Sequence, residues 1–158
     1  MCILLNIYNS SFDVISGRSR DLLRITTDQD LFRRPRELSQ TFAMFTVGEY
    51  ILRSAAAVEQ TFGGITRRLW DDPFEWTLSE TLCTVALISE YLDEVDTARS
   101  AGFAFLTDDN SLQKSLPAPV EIKPIAQVLT DTLLRAEHFQ GRAYAIHQML
   151  SDEKLPKI

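Results

Sequence analysis

Only two of the 158 residues are cysteine, Cys2 and Cys83, too few for a disulfide-stapled scaffold or a four-cysteine zinc site. A reducing, cytoplasmic setting is the expectation. Glycine and proline are sparse as well, six of each, which excludes collagen-like repeats and low-complexity disorder in a chain that is 45% hydrophobic. No run of about 18 apolar residues occurs, so no membrane-spanning helix and no membrane partner are expected. The apolar opening Met1–Tyr8 is short and has neither a basic n-region nor a small-residue cleavage site, which argues against a signal peptide. Positive charge is in the minority: 16 lysines and arginines face 22 acids, for a net charge of −6. Phosphate binding needs clustered Lys and Arg, so nucleic acid is not an expected partner.

What is present is one domain's worth of chain, taken as a single unit over residues 1–158, with helical periodicity in four segments. No segment shows period-two alternation bounded by hairpin turns, and the fold class is therefore all-α. A first helix is expected over roughly Ser11–Ile25, capped by Ser10 or Ser11, burying Phe12, Ile15, Leu22 and Ile25 and leaving Arg18, Arg20 and Asp21 to solvent. A short helical turn at Thr27–Phe32 precedes a polar loop that holds Pro35 and runs to Gln40.

Thr46-Val47-Gly48-Glu49 has capping-box spacing and predicts the start of a second helix. Gly63-Gly64 is expected to stop it, or to kink it into an extension ending at Trp70 before Asp71-Asp72-Pro73. Thr77-Leu78-Ser79-Glu80 repeats the spacing and predicts a third helix that carries Leu82, Ala86, Leu87, Ile88, Tyr91, Leu92 and Val95 towards Gly102. Phe103–Glu121 is a long crossover. Pro124 then opens a fourth helix to about Leu150, with Ile125, Val128, Leu129, Thr132, Ala136, Phe139, Ala143 and Ile146 on one face. Trp70 and Trp76 are expected to pack the intervening connector onto the end of the helices.

Candidate chemistry is thin. His138 and His147 are the only histidines, and nine residues at about 100° each place them on opposite faces of one helix, so a single ion cannot be gripped by both. His138 is expected to be exposed or at an interface, and His147 partly buried. The third helix offers Glu80, Glu90, Asp93, Glu94 and Asp96, and Glu90-Tyr91-Leu92-Asp93 resembles the E-x-x-D element of all-α nucleotide pyrophosphohydrolases. That chemistry needs a second acidic pair, whereas the second helix has only Glu49 and Glu59, ten residues apart, so the acidic helix is taken as a solvated face. Neither cysteine has a histidine context, and there is no G-x-S-x-G, P-loop or G-x-G-x-x-G.

The order of these features resembles the DinB/YfiT-like four-helix bundles over about Ser11–Leu150. Three segments carry the resemblance: Ile25-Thr26-Thr27-Asp28-Gln29-Asp30-Leu31-Phe32 before Pro35, then Phe45-Thr46-Val47-Gly48-Glu49, then Arg135-Ala136-Glu137-His138-Phe139-Gln140-Gly141-Arg142. The last stands where members carry a motif like H-E-x-H-H-R-G-Q. The resemblance implies an all-α four-helix bundle with a long crossover between its third and fourth helices, and a homodimer formed through helix faces. The run of small residues Ser54–Ala57 is compatible with close helix approach in such a pair.

The resemblance also implies a nickel or zinc ion on three histidines in the usual member, serving thiol-dependent transfer. Here those positions fall on Arg53, Arg135 and Phe139, while His138 matches the motif histidine between two of them. Two obligate cations and an apolar ring cannot ligate a metal, so no cofactor is expected. The function that follows is a non-catalytic binding or homodimeric interaction module with a degenerate metal site. One alternative is a relict transferase whose Arg53 and Arg135 converge on a small anionic ligand, since arginine forks match carboxylate and phosphate; against it, both arginines can pair with acids such as Glu49 or Glu90, or point at solvent. A further alternative keeps a metal through His147 and acids of the third helix.

Overall fold

The computed structural model describes residues 2–35 and 45–158. It contains helices α1 (Ile3–Ile25), α2 (Asp28–Leu31), α3 (Val47–Arg67), α4 (Val85–Phe105) and α5 (Ile125–Leu150), and single turns of 3-10 helix at Pro73–Glu75 and Asp109–Gln113. The chain is therefore predominantly helical, as its periodicity predicts. The crossover differs from expectation in one respect, because it holds two antiparallel strands, β1 (Ser115–Pro117) and β2 (Ile122–Pro124), with Leu116 opposite Lys123. Strands of three residues ending in proline are too short to show a period-two signal.

The four long helices pack in a ring: α1 against α4 and α5, and α3 against the same two. Helix α3 is the most buried, with Ile51, Leu52, Ala56, Ala57 and Phe62 almost wholly inside. Phe62 meets Phe12 edge-on at 5.4 Å between ring centres and Phe103 at 5.2 Å. Gly102 makes that cluster possible, since a Cβ there would lie 2.3 Å from the Phe62 ring. The small residues Ser54–Ala57 are all buried, and Ser54 donates to the Ala136 carbonyl at 2.9 Å. They are packed within one chain, Ser54 against α5 and Ala55 beside Phe12 and Leu92, and are not available to a second copy.

Helix ends show where local signals governed and where distant ones did. At α3 the capping box forms as predicted: Thr46 Oγ1 accepts from the Glu49 amide, and the Glu49 carboxylate accepts from the Thr46 amide at 2.7 Å. That helix passes straight through Gly63-Gly64 and ends at Arg68, which adopts the left-handed conformation with φ 57°. Gly64 has a packing role instead of a stopping one, because a Cβ there would lie 2.4 Å from the Trp70 ring.

Helix α1 starts at Ile3 and not at Ser11. Its first turn has no side-chain cap of its own and is capped from the crossover, where the Asp109 carboxylate accepts from the amides of Leu4 and Leu5 at 3.2 and 3.0 Å. Helix α4 starts at Val85, not after Thr77, whose hydroxyl donates to the Pro73 carbonyl. Thr84 Oγ1 and the distant Asp28 carboxylate accept from Leu87 and Val85 instead. Leu82 therefore precedes the helix and Ala86 is exposed, while Ile88, Tyr91, Leu92 and Val95 are buried as expected. Helix α4 also continues past Gly102 to Phe105, and α5 spans the expected length with Pro124 at its N-cap. Of the expected loop around Pro35, residues 36–40 lie outside the described residues.

Arg18, Arg20 and Asp21 are half-buried, against the expectation that they face solvent. Arg20 pairs with Asp93 and Asp96 at 2.8 Å, and Ser16 donates to Asp96 at 2.7 Å. Buried Arg99 returns from α4 to the Asn9 carbonyl, the Asn9 side chain and Asp13. Part of the acidic face of α4 is therefore a polar seam against α1.

Candidate functional site

Phe45 sits just before the capping box and Tyr50 one turn into α3, so the two rings form the hydrophobic staple that commonly accompanies such a start. They meet edge-on at 5.5 Å. Arg53 lies one further turn along the same flank, with its guanidinium 3.7 Å from the Phe45 ring centre and 4.2 Å from that of Phe74, a residue of the 3-10 turn after α3. From α5, Phe139 approaches Tyr50 at 6.3 Å, and His138 lies against Phe139 at 5.8 Å. Arg142, one turn further on, donates to the Tyr50 hydroxyl at 3.3 Å.

Arg53, Phe139 and His138 thus join one chain of ring contacts between α3 and α5. Burial lowers the pKa of Arg53 below its ordinary value, opposed by the nearby carboxylates Glu49 and Asp72. Each guanidinium–ring contact is worth roughly 0.5–2 kcal/mol, more as water is excluded. Phe45, Tyr50, Phe74 and Arg142 escape an inspection for ligand types, although the aromatic residue ahead of the capping box was a usable signal.

Arg135 belongs to a different environment. It is exposed and donates to Gln60 Oε1 at 3.1 Å, and no contact among the described residues joins it to Arg53. It lines a cavity of about 260 Å³ between α3, α5, Trp70 and the turn of the β-hairpin. Neither Arg53 nor Arg135 takes part in an ion pair among the described residues, Glu49 and Glu90 included.

The residues at the three positions do not fit the metal that the resemblance implies: two are cations, one of them held between two rings, and the third is itself a ring. His138 is exposed and His147 is buried, more deeply than expected. The Thr26 hydroxyl donates to the Leu22 carbonyl at 2.7 Å, so His147 Nδ1, 3.3 Å away, is the donor to Thr26 Oγ1. No partner for Nε2 exists among the described residues, and no group of three or more His, Cys, Asp or Glu side chains among them is placed to hold a metal ion. Both cysteines are free and exposed. No helix among the described residues is long and apolar enough to cross a membrane.

Comparison with protein-family models, with curated proteins and with solved structures finds no match for this chain.

Proposed function

We propose that this chain is a DinB/YfiT-like four-helix bundle whose metal position has become a structural aromatic–guanidinium cluster, and that it acts as a homodimeric interaction module. The observation that carries the non-metal half is the clamping of Arg53 between Phe45 and Phe74, with Phe139 against Tyr50. A cation held by two rings rigidifies the start of α3 and occupies a position at which a metalloenzyme needs an electron-pair donor. The free, exposed cysteines fit a reducing, cytoplasmic setting.

The interaction half is supported by the outer face of α1. Ile3, Ile7, Ser10 and Val14 are all exposed and follow one another at alternating four- and three-residue steps, the spacing of a helix–helix seam. The next step along is Gly17, where a Cβ would meet nothing within 4 Å. Glycine inside a helix costs about 0.5–1 kcal/mol relative to alanine, and nothing within the chain demands it here. Facing a second copy, it permits the close approach of a partner helix across a two-fold axis.

Light scattering during size-exclusion chromatography tests this directly. The wild type is expected to elute with the mass of a dimer, and Val14→Glu and Ile7→Glu, which alter only exposed positions, to elute as folded monomers. A monomeric wild type, or dimers unaffected by both substitutions, would contradict it.

A further inference from the structure

The cavity beside Trp70 is a built site outside the aromatic cluster. Its wall is the Trp70 indole, whose Nε1 donates to the Pro117 carbonyl at 2.9 Å and whose ring lies on Gly64, while the Trp70 backbone carbonyl accepts from Gln60 at 3.2 Å. Its floor is Val128 with Thr61 and Thr132, whose hydroxyls are 2.6 Å apart, with Thr132 also donating to the Val128 carbonyl. Both hydroxyls are therefore committed within the chain. Its roof is Ala118-Pro119-Val120, the turn between the two strands, and Val120 is 94% exposed.

Three charges stand at the mouth. Lys123 is answered by Asp131 at 3.0 Å and Glu121 at 3.4 Å. Arg135 is answered by no carboxylate among the described residues. It spends one hydrogen bond on Gln60, which steadies the guanidinium and leaves its other N–H groups without an acceptor among the described residues. The lining thus combines an aromatic wall, aliphatic surfaces and one planar cation that makes no ion pair among the described residues.

We propose that this cavity binds a small organic monocarboxylate, with the carboxylate on the Arg135 fork and an apolar body against Trp70 and Val128. A guanidinium matches a carboxylate through two parallel N–H···O bonds. The apolar walls select against a bare inorganic anion, which would leave them unfilled. The volume lies just below the roughly 300–1,000 Å³ of drug-sized ligand pockets, so the ligand is small. The site uses Arg135 without Arg53 and does not depend on whether the chain is a dimer.

Benzoate is the probe, with benzamide as its uncharged counterpart and inorganic phosphate as the anion without an apolar body. The Trp70 indole N–H, assigned with Trp76→Phe, reports binding in two-dimensional proton–nitrogen spectra of the full chain. Saturable movement of that signal with benzoate is expected, with benzamide and phosphate each at least tenfold weaker. Arg135→Gln changes an exposed side chain and is expected to weaken benzoate at least tenfold, about what a lost charge-assisted hydrogen-bond pair removes. Val120→Asp places a like charge at the mouth and is expected to weaken benzoate where Val120→Asn does not, a comparison that needs no change to Arg135. No saturable movement with benzoate, equal binding of benzamide, or full affinity in both Arg135→Gln and Val120→Asp would overturn the proposal.

Discussion

Arg20, Arg53 and Arg99 lie partly or wholly out of water, and the partner each one finds decides what its loss would do. Arg99 is buried on α4 and spans to Asn9 and Asp13 of α1. Arg99→Ala is expected to destabilise the protein by about 3 kcal/mol, the low end for breaking a buried charge pair because Asp13 keeps some access to water. The urea midpoint measures it, and Arg24→Ala, which removes an exposed i,i+3 pair, should leave the midpoint nearly unchanged. Arg20 is half-buried; desolvation alone would lower its pKa, yet hydrogen bonds to Asp96 and Asp93 hold it above the ordinary value. Arg53 goes the other way, lowered by burial among rings. At Tyr91 nothing opposes the shift, since burial and the hydrogen bond to Glu59 both push its phenol far up. None of these fates is written in residue type. Arg20 and Arg53 look alike in sequence, and only the neighbouring helix distinguishes a salt-bridged arginine from a stacked one.

Among the elements, α3 and α5 were legible and the starts of α1 and α4 were not. Helix α3 carries its own start signal, because Thr46 and Glu49 satisfy each other's amides within one turn. Helix α5 carries an apolar face for its whole length, and seven of the eight residues assigned to that face are buried, with Phe139 half-buried. Helix α1 instead takes its cap from Asp109, and α4 supplements its own Thr84 cap with Asp28; both acids are remote in sequence. Thr77-Leu78-Ser79-Glu80 shows the converse failure: it has capping-box spacing, but the Thr77 hydroxyl is claimed by Pro73 in the preceding turn. The same reasoning separates two substitutions. Thr84→Ala is expected to cost about 1 kcal/mol, as for other N-cap removals, whereas Glu80→Ala, which removes the acid that a box starting at Thr77 would use, costs next to nothing. Thermal melts of the two variants check the assignment, and a reversed order would mean that α4 begins at Thr77 after all.

At the scale of the whole molecule, the ring of α1, α4, α3 and α5 leaves two surfaces unaccounted for by its own core, the outer seam of α1 and the cavity beside Trp70. Between α3 and α5 the position that the resemblance assigns to a metal holds Arg53, Phe45, Tyr50 and Phe139. Arg135 and Phe139, four residues apart, still share one side of α5, and Arg53 reaches Phe139 through Phe45 and Tyr50. Residue types alone say that Arg53, Arg135 and Phe139 cannot ligate a metal; that Arg53 is held between Phe45 and Phe74 needed the packing of α3 with the Pro73–Glu75 turn. The most direct measurement is metal content by inductively coupled plasma mass spectrometry on the folded wild type after challenge with nickel, zinc and manganese and desalting. No stoichiometric metal is expected. A stoichiometric ion would contradict the reading of Arg53, Arg135 and Phe139 as positions that cannot ligate.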